Sequence, residues 1–359
     1  MSGQTQIDRP LESDRFGEAP HPRATEALFG HAGAEQELLD SFRSGRLPQA
    51  WIIGGREGIG KATLAWRFAR FLLVHGDEQA DVVRSAQTLW VSPDHPVAKR
   101  VISLGHADLS LLRRQANERG KGFYTEIRAD EVRHMIEMFH HSAGEGGWRV
   151  AIIDCAEDLN RSGANALLKL IEEPPRHALF LIVSHRPARV LPTIRSRCRM
   201  LALEPLSTQD VVRAVANCGE PWSNMAETEI TAAAERSGGS VRDALRLLDG
   251  GGLALAHQID DLLDRLPAID WRGVHTLADM VAGRDRFTDY EALVAHVFDW
   301  LDDRVRTKAT TAARLAPFAE VWEKIAAATR EAEALNLDKR PLILSIFADV
   351  AEAVRVSEA

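Results

Sequence analysis

The chain has 359 residues, of which 45% are hydrophobic and 27% charged, and it carries a formal net charge of −8. That is too long for one ordinary compact core and too apolar for extensive disorder, so two or three domains are expected, and the acidic balance excludes a surface that grips a phosphate backbone throughout. Cys155, Cys198 and Cys218 lie far apart without a CxxC pair, which argues against a disulfide framework or a zinc site and fits a reducing cytoplasm.

Residues 1–22 are polar and dotted with Pro and Gly; they lack a basic start and an apolar core, so a flexible N-terminus rather than a signal peptide is expected. No apolar run approaches the roughly 20 residues that span a bilayer, so no membrane association is expected. From Ala34 to Phe42 apolar residues recur at helical spacing, Gly45 and Pro48 break the chain, and Ala50, Trp51, Ile52 and Ile53 form an apolar run. This reads as helix, turn and buried strand.

A glycine-rich loop follows, Gly55-Arg56-Glu57-Gly58-Ile59-Gly60-Lys61-Ala62. It fits the phosphate-binding pattern GxxxxGK[ST] at every position but the last. Gly55, Gly58 and Gly60 let backbone N–H groups curl around phosphate oxygens, and the helix beginning at Lys61 points its positive end at them while the ammonium adds a full charge. The hydroxyl that binds magnesium is missing at Ala62, and Thr63 is rotated roughly 100° around the helix, so its hydroxyl is expected to face elsewhere. A bare strand-to-helix turn would also explain the glycines, but the strand before and the helix after, with Leu64, Ala65, Phe68, Leu72 and Leu73 on its buried side, supply the context the motif needs.

Residues 75–130 are rich in charge and show no helix-long period. Two further apolar runs, Val150 to Ile153 and Leu179 to Val183, read as strands of a parallel sheet on either side of a helix over Ala164 to Glu173. The first of these strands ends at Asp154-Cys155, in the manner of a strand whose terminal carboxylate holds magnesium. Strands of that kind in active AAA+ ATPases commonly carry a glutamate next, to polarise the attacking water; Cys155 stands in that place here and a thiol is a poor base, while Glu157 is a candidate replacement, though an ordinary helix-start carboxylate explains it as well. After Pro205 helical patterns dominate, broken by Gly238-Gly239 and Gly250-Gly251-Gly252. The expected organisation is a flexible N-terminus (1–22), a P-loop α/β domain (23–205), a helical lid (206–255) and an all-α C-terminal domain (256–359), whose helices over Phe287 to Val305 and Phe318 to Ala332 are amphipathic.

Three further runs are specific. Asn165-Ala166-Leu167-Leu168-Lys169-Leu170-Ile171-Glu172-Glu173-Pro174-Pro175 resembles the NALLKxLEEPP signature of clamp-loader subunits, Thr193-Ile194-Arg195-Ser196-Arg197-Cys198 their TIxSRC motif, and Gly239-Ser240-Val241-Arg242-Asp243-Ala244-Leu245 their GSxRDAL motif. With the phosphate loop, four signatures occur in family order from about Phe29 to Leu248. The likeness continues more loosely over Trp322 to Phe347, where Ala334-Leu335-Asn336-Leu337-Asp338 is similar to the family's tail. The chain thus resembles the delta-prime family of bacterial DNA polymerase III clamp-loader subunits, within the AAA+ superfamily.

The resemblance implies an AAA+ P-loop domain with a parallel sheet, a small lid and a helical collar. It implies that Arg197 is an arginine finger acting on a neighbour's nucleotide, Arg242 a lid sensor and Ser184 the first sensor. ATP binding would be weak or structural at Gly55, Gly58, Gly60, Lys61, Ala62, Thr63, Asp154 and Arg242, with magnesium unassigned. The expected partners are the gamma/tau and delta subunits in a hetero-oligomeric ring and, through the complex, the sliding clamp and primed DNA. A catalytically active gamma/tau-like ATPase is the alternative, because Lys61, Asp154 and Arg242 are retained. Relatives often carry a cysteine-ligated zinc module, but no cysteine lies between Lys61 and Asp154, so no zinc is expected; His95, His106, His134, His140 and His141 read as ordinary histidines.

Overall fold

A computed structural model describes residues 11–118, 122–140, 144, 147–283, 287–308, 312–335 and 337–358. The chain divides into two compact units, the first running to Arg246 and the second starting at Leu247.

The first unit is built on a five-stranded parallel sheet. Its strands are β1 (Ala50–Gly54), β2 (Leu109–Arg113), β3 (Arg149–Asp154), β4 (Ala178–Ser184) and β5 (Arg199–Ala202), in the spatial order β2-β3-β4-β1-β5. The central strands β1, β3 and β4 are buried almost end to end because both sheet faces are covered. Alternate residues point to opposite faces. Trp51, Ile53, Val150, Ile152, Leu179 and Leu181 join one core with Leu64, Phe68 and Leu72 of α2 (Lys61–His75) and Leu38, Leu39 and Phe42 of α1 (Ala32–Arg43). Ile52, Ala151, Ile153, Phe180 and Ile182 join the other, under α5 (Ala129–His140) and α6 (Arg161–Glu172).

The stretch 75–130, which showed no helical period, folds as two short helices, α3 (Asp81–Ser85) and α4 (Pro96–Ile102), followed by β2 at the sheet edge. Only Leu112 of β2 is fully buried, so the strand carries no long apolar run to announce it. Residues 11–22, expected to be a flexible tail, instead pack onto the sheet: Asp14 and His21 are almost wholly buried, and Arg113 at the end of β2 pairs with both Glu12 and Asp14. Residues 1–10 of that expected tail lie outside the described residues.

Beyond a four-residue helix, α7 (Pro192–Arg195), and β5, the unit turns helical with α8 (Thr208–Ala216), α9 (Glu227–Arg236) and α10 (Val241–Leu248). The glycine break before α10 is tight. Gly239 has φ +80°, its carbonyl accepts from the Leu206 amide at 3.1 Å, and a Cβ there would lie 2.6 Å from the Leu206 carbonyl oxygen.

The second unit consists of α11 (Gly252–Leu263), α12 (Trp271–Val281), α13 (Phe287–Lys308), α14 (Ala312–Leu335) and α15 (Lys339–Glu358). They share one core that includes Ile259, Leu263, Leu277, Val297, Ile325, Ile346 and Val350. Asn336, within the run likened to the family tail, lies outside the described residues. Among the described residues no helix is long and apolar enough to cross a membrane.

Candidate functional site

Where β1 ends and α2 begins, the loop Gly55–Gly60 borders a cleft of about 380 Å³ lined by Gly58, Gly60, Lys61, Ala62, Thr63, Asp154 and Arg242, among others. Parallel-sheet proteins bind ligands at the carboxyl ends of their strands, and β1 and β3 both end here. Gly58 has φ +78° and Gly60 φ +104°, conformations that glycine alone adopts without strain. A Cβ on Gly58 would lie 2.3 Å from Ser240 Oγ and 2.6 Å from Arg242 Cβ. The loop and the start of α10 therefore touch through the space a side chain would fill, and the Val241 amide donates to the Gly58 carbonyl at 3.0 Å.

Lys61 is 3% exposed, and its ammonium donates to the Arg56 carbonyl of the same loop. Burial pulls its pKa down to about 8, against the attraction of Asp154 and Glu57. Asp154 closes β3, and burial followed by the charge of Asp14 pushes its carboxyl up to about 7, with Lys61 pulling the other way. A phosphate group entering the cleft would supply the anionic partner that Lys61 lacks apart from these crowded carboxylates.

Ala62 borders the cleft with no hydroxyl, and Thr63, expected to turn away, borders it as well. Cys155 stands beside Asp154, its thiol held protonated far above the usual range by burial and the surrounding carboxylates. Glu157 does not line the cleft. One of its oxygens accepts from Ser184 Oγ at 2.6 Å and from the Arg186 amide. Burial acts to raise its pKa, but these hydrogen bonds hold it below the ordinary value. The candidate first-sensor hydroxyl and the candidate replacement base are thus engaged with each other.

Arg242 reaches back from α10 and pairs with Glu57 of the loop at 2.5 Å, and its guanidinium lies 5.4 Å from the Phe16 ring centre. Arg197 is elsewhere. It sits in the turn after α7, about two-fifths exposed, where Nε pairs with Glu172 at the end of α6 at 2.6 Å and Nη1 donates to the Thr193 carbonyl at 3.1 Å. Its neighbour Arg199 pairs with Glu37 at 2.8 Å. The structure brings Lys61, Asp154 and Arg242 together and leaves Arg197 apart from them. Nothing in the polar, Pro-rich surroundings of Asp14 and Phe16 signals a place in the cleft lining, and Glu57 occupies a variable position of the loop pattern. Among the described residues no three His, Cys, Asp or Glu side chains are grouped to hold a metal ion; His141 and the side chain of His140 lie outside those residues.

The family model described as "DNA polymerase III, delta subunit" matches residues 30–207, from just before α1 to just before α8. The chain is 34% identical over 166 residues to DNA polymerase III subunit delta' of Pseudomonas aeruginosa, covering 45% of this chain and 46% of that one. It is 25% identical over 229 residues to DNA polymerase III subunit gamma of Buchnera aphidicola, covering 64% and 58% respectively. A DNA polymerase III gamma subunit-related protein from Thermotoga maritima overlays 88% of this chain and 99% of its own with a TM-score of 0.47 at 16% identity, a likeness too loose to bear on function. The chain spans about half the length of the curated relatives it matches.

Proposed function

We propose that this chain is a delta-prime-like, stator-type subunit of a DNA polymerase III clamp loader, with Arg197 as the finger that completes the ATP site of a neighbouring gamma/tau-like subunit. One observation carries the reading. The arginine of the SRC run is exposed on a turn away from its own cleft, while that cleft has Ala62 where a magnesium-binding hydroxyl would stand and Cys155 in place of the base. A guanidinium placed against a transferring phosphoryl group stabilises the charge that develops there, and fingers of this kind contribute about 10³ to 10⁵ in rate. Glu172 and the Thr193 carbonyl fix the direction of a long side chain that would otherwise lose rotamer freedom on docking.

The cleft itself would take an adenine nucleotide through the loop amides, Lys61 and Arg242, weakly or structurally, without useful turnover. In the assembly the subunit would sit in a ring with gamma/tau and delta, while that ring opens the sliding clamp and places it on primed DNA. The second reading, an active gamma/tau-like ATPase, draws on the convergence of Lys61, Asp154 and Arg242 on one cleft. The two separate by ATP turnover of the purified chain. No turnover alone, with stimulation of a gamma subunit's turnover on mixing, supports the first; turnover alone that Lys61→Ala abolishes establishes the second.

A further inference from the structure

Residues 11–22 lie at the same cleft as the phosphate loop, and Ser13, Asp14 and Phe16 form part of its lining. The segment is clasped in place. Glu12 pairs with Arg23 at 2.8 Å and with Arg113 at 2.9 Å, Arg113 also pairs with Asp14, and His21 Nε2 stands 3.0 Å from the other Asp14 oxygen. Arg113 is the last residue of β2 and lies in register with Asp154 on β3. The clasp therefore fixes the Asp14 carboxylate, 1% exposed, near the strand end where Lys61 and Asp154 meet.

This placement works against a nucleotide in two ways. Asp14 adds a second buried carboxylate beside Asp154, whose anionic form it disfavours even while paired with Arg113, and a carboxylate so placed opposes the phosphates of an incoming nucleotide. At the other side of the cleft Phe16 covers the Arg242 guanidinium, whose other partner is Glu57. A cation held over an aromatic face and against a carboxylate is not free to meet a phosphate.

We propose that residues 11–22 are a strap that keeps the cleft shut to nucleotide phosphates, and that a nucleoside triphosphate enters only as the strap leaves. The proposal rests on reading the cleft as a nucleotide site. The strap would make the nucleotide-free form the resting state of this subunit and would couple any nucleotide it takes to release of residues 11–22.

The test is magnesium-ATP binding to the full chain by titration calorimetry, with amide hydrogen exchange of residues 11–22 followed in the same samples. The expected result is weak binding by the wild type, with exchange of the strap rising on saturation, and binding about tenfold tighter by Asp14→Asn, since one unit of opposing charge is gone. Phe16→Ala, which leaves the Arg113 clasp intact, is expected to bind more tightly too and decides the matter should Asp14→Asn fail to fold by circular dichroism. Adding Lys61→Ala to either variant should remove the gain. Tight, Lys61-dependent binding by the wild type with strap amides still protected overturns the strap and leaves the nucleotide reading standing. Variants that bind no better than the wild type also overturn it, and no binding by any folded variant refutes the nucleotide reading and the strap together.

Discussion

Gly58→Ala probes the contact between the phosphate loop and α10. At φ +78° an alanine costs about 1–2 kcal/mol from backbone strain alone. Its Cβ would also meet Ser240 Oγ at 2.3 Å, Arg242 Cβ at 2.6 Å and the Arg242 nitrogen at 3.0 Å, and forcing an extra carbon into such a space adds about 1–3 kcal/mol. The total is about 2–5 kcal/mol, and at about 2–4 °C per kcal/mol for a unit of this size the melting transition should fall by about 4–20 °C. Gly76→Ala is the control. Gly76 has φ +54°, and no atom lies within 4 Å of the point a Cβ would occupy, so it should lose only the backbone share, about 1–2 kcal/mol. Thermal and urea melts of both variants measure the difference. Equal losses would refute the claim that loop and α10 are packed together through the absent side chain.

Glu35→Ala should destabilise by about 3–5 kcal/mol in urea melts, because Glu35 accepts from Arg67 Nε at 3.1 Å, Arg67 Nη2 at 2.8 Å and the Leu89 amide at 3.0 Å, and both side chains are buried. Its loss strands a buried guanidinium, so Glu35→Gln, which keeps an acceptor, should cost less. Asp154 has a folded pKa of about 7 against a reference of 3.8, so the folded state holds a proton that the unfolded state has released between those values. Stability should therefore fall as pH rises from about 4 to 7. Asp154→Asn should flatten that part of the pH profile, measured by melts across it, and an unchanged slope would contradict the assigned environment.

The sheet's centre was legible because β1, β3 and β4 are buried on both faces and so appear as unbroken apolar runs. The phosphate loop was legible because Gly58 and Gly60 sit at spacings that the backbone conformation requires. β2 was not, since an edge strand needs few apolar residues and Ser110 and Arg113 interrupt it. The strap escaped notice for a different reason: the partner that permits Asp14 to be buried, Arg113, lies 99 residues away, and no local pattern records such a pairing. Glu157 could be read from sequence either as a base or as a surface carboxylate. Its hydrogen bond from Ser184 depends on β4 running beside the turn that follows β3, which only the tertiary fold reveals.

Arg197 is proposed to act on a neighbour's nucleotide rather than its own. The most direct measurement is steady-state ATP turnover of the reconstituted loader, with gamma/tau and delta subunits, clamp and primed DNA, containing either the wild-type chain or Arg197→Ala. Assembly should be checked in both by size-exclusion chromatography. The expected result is intact assembly and a fall in turnover at the adjoining site toward the roughly 10³-fold or larger loss typical of a removed finger. Unchanged turnover in a fully assembled Arg197→Ala complex would contradict it.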